Sequence, residues 1–278
     1  QETLLREGNL DAVILEQMAA DVAALESVSF RRSIQGERLF SLALYQSAYA
    51  GHITAEDKVS WFVLTEHWDG EPININRCMR RINANGDQRE RVLDQPSHGE
   101  ILGQWDAEFG DIQAEEFSFD TEGMMARMDQ ETQMFTWGAG PAAEAATDAL
   151  FDRAMPNELA LTRSMVVGSG EFTARLALVE VAVAAGRYRL ARGDYPAELA
   201  ALVEAGYLDA ATVDPFTGDA LVYWLGVDTV VVYSVGANGS DDAGHGGRSL
   251  APCGRCGEGC SDGDDISIAL DRATDEGE

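Results

Sequence analysis

Positive charge is scarce in this chain. It has 20 lysine and arginine residues against 48 aspartate and glutamate residues, which gives a formal net charge of −28, and Lys58 is the only lysine. A surface with this balance repels the phosphate backbone of nucleic acids, which argues against nucleic acid as a partner. The excess of carboxylates favours a solvated surface in a salty medium, or a surface that holds divalent cations.

Long apolar runs are also missing. The most apolar stretch, Leu176–Leu190, contains Glu180, Arg187 and Arg189, whereas a transmembrane helix needs roughly 18 to 20 apolar residues in a row. We therefore expect no membrane span in this chain. The sequence begins at Gln1, without a starting Met, and this leaves open that an N-terminal signal or anchor has been removed.

Recognisable catalytic motifs are absent as well. The chain shows no Walker, Rossmann or GxSxG pattern, and its four histidines are scattered outside any HExxH frame. We therefore assign no catalytic residue and predict a non-enzymatic protein. A hydrolase whose acidic residues and histidines converge only in the folded chain stays an alternative.

The first half of the chain is predicted to be helical, because its apolar residues recur at helical spacing. Further helices are expected after Pro141 and after Pro156, since proline is favoured at the first helical position. Gly168-Ser169-Gly170 is expected to form a hinge before a long helix that ends at Arg192. We therefore predict a helical domain over residues 1–168. The earlier helices are predicted at 10–30, 39–49, 59–68 and 77–92, the last with an interruption near Asn85-Gly86.

The second domain, residues 169–278, is predicted to contain a small antiparallel sheet. The segments Leu221–Leu225, Thr229–Ser234 and Ile266–Leu270 are short and rich in β-branched and aromatic residues, which is typical of strands. Such strands bury at least one face, so we expect the long helix to cover the sheet. The predicted fold class is α+β. The helix residues expected to face the sheet are Phe172, Leu176, Val179 and Val183.

A Gly-rich acidic loop, residues 236–265, connects the last two predicted strands. Asp241-Asp242 stand near its start and Asp264-Asp265 at its end. Short carboxylates on a curled, glycine-rich backbone are the ligands that hard cations such as calcium prefer. Because pairing of the flanking strands brings the two loop ends together, the sequence predicts a cation site here, with a solvated acidic turn as the alternative.

Three of the four cysteines, Cys253, Cys256 and Cys260, lie within the acidic loop, and the fourth is Cys78. An even count with close spacing favours disulfides formed in an oxidising compartment. One bond is expected within the loop and, by elimination, a second to Cys78. A zinc or iron–sulfur site made by these cysteines, or free thiols, are the alternatives, and a metal or redox protein is the corresponding alternative function.

The C-terminal ~100 residues carry an ordered series of short motifs. In their order and spacing they resemble the globular domain of the major pseudopilin of type II secretion. The whole chain is similar to a family of uncharacterised bacterial proteins in which a helical N-terminal part precedes such a module. The motifs are Tyr188-Arg189-Leu190, Gly193-x-Tyr195-Pro196, Leu199 and Leu202, Asp214-Pro215-Phe216-x-Gly218, Tyr223, Tyr233-Ser234-x-Gly236-x-Asn238-Gly239 and Asp264-Asp265-Ile266.

This resemblance implies a pseudopilin-like module whose acidic loop binds calcium. It also implies an extracytoplasmic location, in the periplasm, at the cell surface or secreted. Arg175 and Glu180 interrupt the segment that would form the membrane helix of a true pseudopilin, so we do not expect this protein to polymerise as a pilus subunit. We expect a structural or interaction protein with an unidentified protein partner. The calcium ligands implied by position are Asn238, Asp241, Asp242, Asp264 and Asp265.

Overall fold

The computed structural model of the chain describes residues 12–23, 30–50, 71–110, 136–245 and 264–272. Its helices and a small three-stranded antiparallel sheet confirm the predicted α+β class. The helices are α1 (Ala12–Ala23), α2 (Phe30–Tyr49), α3 (Ile75–Val92), α4 (His98–Phe109), α5 (Pro141–Arg192) and α6 (Ala200–Glu204). The strands are β1 (Val222–Leu225), β2 (Thr229–Ser234) and β3 (Ile266–Asp271).

The sheet has the order β1-β2-β3, and both pairs are antiparallel. A tight hairpin joins β1 to β2, and the Gly226 N–H donates to the Thr229 carbonyl over 2.8 Å. The acidic loop joins β2 to β3, whose register places Ser234 opposite Ile266. All three predicted strands are confirmed to within one residue at their ends.

The chain divides into two compact units, and neither is one continuous stretch. The sheet unit comprises Gln1–Val28, Gln95–Gly103 and Val166–Glu278, and the helical unit comprises Ser29–Asp94 and Gln104–Met165. Helices α4 and α5 therefore each contribute one segment to the sheet unit and one segment to the helical unit. No helix in the part of the chain that the structure describes is long and apolar enough to cross a lipid bilayer.

The helical unit is organised around an apolar core to which α2, α3 and α5 contribute. Asn74 caps α3, because its side-chain oxygen accepts the Arg77 N–H over 3.0 Å, which satisfies one of the unpaired donors of the first turn. Buried apolar side chains then follow along α3 and α5. The core residues are Tyr45, Ile73, Cys78, Ile82, Leu150 and Phe151.

The predicted interruption of α3 at Asn85-Gly86 is wrong, since the helix is continuous. Gly86 instead makes room for a side chain from α2: a Cβ at this position would lie 2.6 Å from Cδ of Arg38. The Arg38 guanidinium reaches past this glycine to Oδ1 of Asn83, 2.8 Å away, and to Oδ1 of Asp87, also 2.8 Å away. The absence of a side chain at Gly86 therefore lets Arg38 of α2 pack against α3.

Helix α5 is continuous where three separate helices were predicted. It runs through Pro156 and through Gly168-Ser169-Gly170 without a break, so the predicted helix start and the predicted hinge are both wrong. A helical proline removes one backbone hydrogen bond, and here the helix persists with Leu150, Phe151, Ala154, Leu159 and Ala160 buried on either side of it. Tertiary packing of an apolar face accounts for most helical stability in proteins.

Gly170 has a packing role in place of the predicted hinge. A Cβ on it would lie 2.6 Å from Cζ of Phe216 and 3.1 Å from Cγ of His98. The first turn of α4 docks beside it, because the N–H groups of His98 and Gly99 donate to the carbonyls of Pro215 and Phe216 over 2.8 and 3.1 Å. The first N–H groups of a helix have no partner within that helix, and here the turn at 214–218 supplies a carbonyl to each of the two.

The buried face of α5 in the sheet unit differs from the predicted one. Phe172 is 54% exposed, so its predicted place over the sheet is wrong. Leu176 and Val179 are only partly buried, and Val183 is buried. At its C-terminal end α5 contacts the sheet directly, since Nη1 of Arg189 donates to the Asp271 carbonyl over 2.9 Å. In the segment of α5 that belongs to the sheet unit, the residues with 0% exposure are Ala174, Leu178, Val181, Ala182 and Ala185.

Candidate metal centre

The pairing of β2 with β3 brings the two ends of the acidic loop together, as predicted. Two residues beyond the Ser234–Ile266 pair, Gly236 lies directly against Asp264. A Cβ on Gly236 would approach the Asp264 carbonyl oxygen to 2.1 Å, and its φ of +71° lies in the left-handed region. Only glycine meets both demands, so this residue allows the two acidic ends to meet.

Asp265 is the most buried carboxylate among the described residues of the loop, with 0% exposure. Its Oδ2 accepts the Gly244 N–H over 2.7 Å, and its own N–H donates to the His245 carbonyl over 3.1 Å. Its Oδ1 is also buried and has no hydrogen-bond partner among the described residues. A buried anionic oxygen without a donor is costly, and a cation is one group that would satisfy it.

The other four predicted ligands lie around this carboxylate. Oδ2 of Asp242 accepts from Nδ2 of Asn238 over 3.2 Å and from the Asp264 N–H over 3.1 Å. Oδ1 of Asp241 accepts from the Ala243 N–H over 2.8 Å and from the Tyr233 hydroxyl over 3.0 Å. The structure thus gathers all the predicted loop residues at one end of the sheet.

These contacts define what the loop can do chemically. In the described part of the chain, no three His, Cys, Asp or Glu side chains are arranged to hold a metal ion as they stand. An ionised carboxylate has about four lone-pair sites. The Asp241 and Asp242 carboxylates therefore keep free lone pairs in addition to those that accept the hydrogen bonds described above. Loop carbonyls and water are the other oxygen ligands that calcium accepts.

The described residues of the loop concentrate negative charge at one end of the sheet. Burial is the main cause that raises the pKa of Asp265 from 3.8 to about 6; the backbone N–H groups of Gly244 and Asp242 oppose this rise, and the carboxylates of Asp242 and Asp241 add to it. None of the four loop aspartates that the structure describes forms an ion pair with another described residue. At neutral pH the folded loop therefore holds a buried anion beside other anions, and this favours a bound cation.

Asp214 is a residue whose role the sequence reasoning missed. It is 2% exposed, and its carboxylate joins the turn at 214–218 to the end of β2. Oδ1 accepts from the Phe216 N–H over 2.9 Å and from the Ser234 hydroxyl over 2.8 Å, and Oδ2 accepts from the Val235 N–H over 2.9 Å. The available signal was the Asp-Pro-x-x-Gly turn pattern, in which Asp commonly bonds to backbone two residues ahead.

Cys78 lies in the core of the helical unit as a fully buried free thiol. Burial raises the pKa of this thiol to about 12, so it is protonated and unreactive at neutral pH. A disulfide from Cys78 would have to bring its partner cysteine into this core. Cys253, Cys256 and Cys260 lie outside the described residues, so the pairing stays a prediction.

Comparison of the chain with protein-family models, with curated proteins and with solved structures finds no match. The interpretation of the loop therefore depends on its own chemistry and geometry.

Replacing Asp214 by Asn should destabilise the sheet unit by about 2–3 kcal/mol, because an amide offers one acceptor where three donors converge on a buried carboxylate. The measurement is the free energy of unfolding in urea. Asp219→Asn is the matched control, since Asp219 is exposed directly after the same turn, and this variant should change the free energy of unfolding little. Equal stability of the two variants would contradict the role assigned to Asp214.

The raised pKa of Asp265 predicts a specific pH dependence in metal-free protein. The folded state keeps the proton up to about pH 6 and the unfolded state releases it near its ordinary value of 3.8, so the stability contributed by the protonated group is lost as pH rises between these values. Thermal unfolding with chelator should show wild type losing stability over this range relative to Asp265→Asn.

The control for this experiment is Asp228→Asn, which makes the same chemical change at an exposed position in the β1–β2 hairpin. Its melting temperature should follow that of wild type across the pH range. If Asp265→Asn also runs parallel to wild type, Asp265 ionises normally in the folded protein.

Proposed function

We propose that this protein is a non-enzymatic, extracytoplasmic structural or interaction protein whose pseudopilin-like module is stabilised by calcium bound at the acidic loop. The observation that carries the proposal is the Asp265 carboxylate. One of its oxygens is buried without a hydrogen-bond donor among the described residues, and the carboxylates of Asp242 and Asp241 are close enough to raise its pKa. The resemblance of the C-terminal motifs to the pseudopilin module supports the same ion.

The chemistry of the donor set favours calcium over other cations. The five predicted ligands offer carboxylate and amide oxygens, which suit hard cations. The loop backbone is irregular, with positive φ at Gly236, Gly239, Ala243 and Gly244. Calcium accepts six to eight oxygens in irregular geometry, whereas magnesium demands a near-ideal octahedron, so a curled loop of this kind suits the larger ion.

A stabilising ion explains how so acidic a loop can close. Four aspartates repel one another when the strands bring them together, and a cation that binds only the folded loop shifts the equilibrium towards the folded state. The role proposed for calcium is therefore structural. An extracytoplasmic location fits this role because calcium is abundant there and because three closely spaced cysteines favour an oxidising compartment.

The test of the calcium proposal is thermal unfolding with chelator, with calcium and with magnesium. Calcium at about a hundred times its Kd should raise the free energy of unfolding by about 2.7 kcal/mol, and magnesium should raise it less. Asp265→Asn should abolish the calcium response while the helical unit stays folded. Asp228→Asn should respond as wild type does.

An unchanged melting curve for metal-free wild type on addition of calcium would refute the proposed site. The loop would then be a solvated acidic turn. A larger response to magnesium than to calcium would also contradict it, since it would indicate a regular octahedral site.

The cysteine state tests the proposed compartment independently. The intact mass of protein purified without reductant, alkylated under denaturing conditions, should show at least two of the four thiols blocked by a disulfide within the loop. Cys78→Ala separates the two predicted bonds, because it leaves the loop bond intact and removes the second. Four alkylated thiols would contradict the disulfides, and a bound transition metal would favour the metal or redox alternative.

A further inference from the structure

The central strand β2 is buried on both faces. Successive side chains of a strand point to opposite faces of the sheet, so Val230 and Val232 share one face and Val231 and Tyr233 the other. All four are at most 3% exposed. A three-stranded sheet covered on one side only would leave Val231 and Tyr233 exposed to solvent.

The acidic loop lies on the second of these faces. A Cβ on Gly244 would lie 3.3 Å from Cδ1 of Tyr233 and 3.6 Å from Cγ1 of Val231, so the Gly244 backbone packs closely beside these two side chains. The Tyr233 hydroxyl also donates to Oδ1 of Asp241 over 3.0 Å. Residues 241–244 therefore fold back over the sheet and cover these two side chains.

The position of this cover depends on Asp265. The Gly244 N–H donates to Oδ2 of Asp265 over 2.7 Å. This carboxylate, whose Oδ1 has no hydrogen-bond partner among the described residues, therefore holds the residue that packs beside Tyr233 and Val231. The closed loop also contains Ala243 at a φ of +60°, a left-handed conformation that is unfavourable for a residue with a Cβ. Strain and charge repulsion both oppose closure of the loop.

We propose that residues 241–244 form a cation-dependent cover, which lies on the Val231–Tyr233 face of the sheet when calcium is bound and lifts from it when calcium is removed. This inference rests on the proposed function and adds to it the structural change that the ion controls. Calcium binding at Asp265 then regulates the exposure of an apolar surface, while the β-ladder itself stays paired.

The experiment is hydroxyl-radical footprinting of the full chain, with calcium or with chelator, read by mass spectrometry of the tyrosine-containing peptides. Oxidation of Tyr233 should rise several-fold on chelation. Tyr223 is the internal control, because it lies on β1 with its hydroxyl bonded to the Pro196 carbonyl over 2.7 Å, away from the loop, and its oxidation should not change. Calcium binding is measured in parallel by calorimetry.

A pair of glycine variants tests the contact itself. Gly244→Ala places a methyl group against Tyr233, whereas Gly239→Ala adds the same methyl group at another left-handed glycine of this loop, with nothing within 4 Å. Both variants carry the backbone strain, and only the first disturbs the cover. Gly244→Ala should therefore weaken calcium binding several-fold more than Gly239→Ala and should expose Tyr233 even with calcium present.

The outcomes separate this inference from the proposed function. If calorimetry detects calcium binding and Tyr233 is equally protected with and without the ion, the cover is wrong and the calcium site stands. If oxidation of Tyr223 rises together with that of Tyr233, the sheet unfolds as a whole, which also overturns the cover. If no calcium binds, both proposals fail. Equal calcium affinities of the two glycine variants would likewise contradict the cover.

Discussion

The sheet unit depends on one buried carboxylate, that of Asp214. Three donors converge on it: a backbone N–H of its own turn, the hydroxyl of the last residue of β2, and the next backbone N–H beyond that strand. Hydrogen bonds to a charged acceptor are stronger than those between neutral groups, and these three hold two separate segments in register. The turn supplies carbonyls to the start of α4, and the strand end leads into the acidic loop.

The two units neutralise their negative charge in different ways. In the helical unit, carboxylates lie beside arginines: Arg77 forms two hydrogen bonds with Asp148, and the buried Arg89 contacts Glu158 at 3.0 Å. Burial nevertheless raises the pKa of Glu158, because the cost of removing its carboxylate from water exceeds the attraction of Arg89. The described part of the acidic loop has no such arginine, and its aspartates have only neutral donors. A bound cation is one means to neutralise them.

Helix termini and glycines were the features that sequence patterns predicted least well. Gly86, Gly170 and Pro156 resemble breaks when they are considered one at a time, because each lowers the local preference for helix. In the fold, Gly86 admits the Arg38 side chain and Gly170 admits the Phe216 ring. A local pattern cannot distinguish a glycine that ends a helix from one that lets another segment approach it, since the approaching segment is distant in sequence.

By itself, the sequence determined the α+β class, the three strands and the meeting of Asp241-Asp242 with Asp264-Asp265, because strand periodicity and antiparallel pairing are local rules that a short segment carries in full. Only the tertiary structure decided which carboxylate is buried and which oxygen lacks a donor. It also decided that Asp214 joins a turn to a strand and that the loop folds back over Tyr233. Burial and hydrogen-bond satisfaction depend on segments far apart in the chain, and no spacing within one segment specifies them.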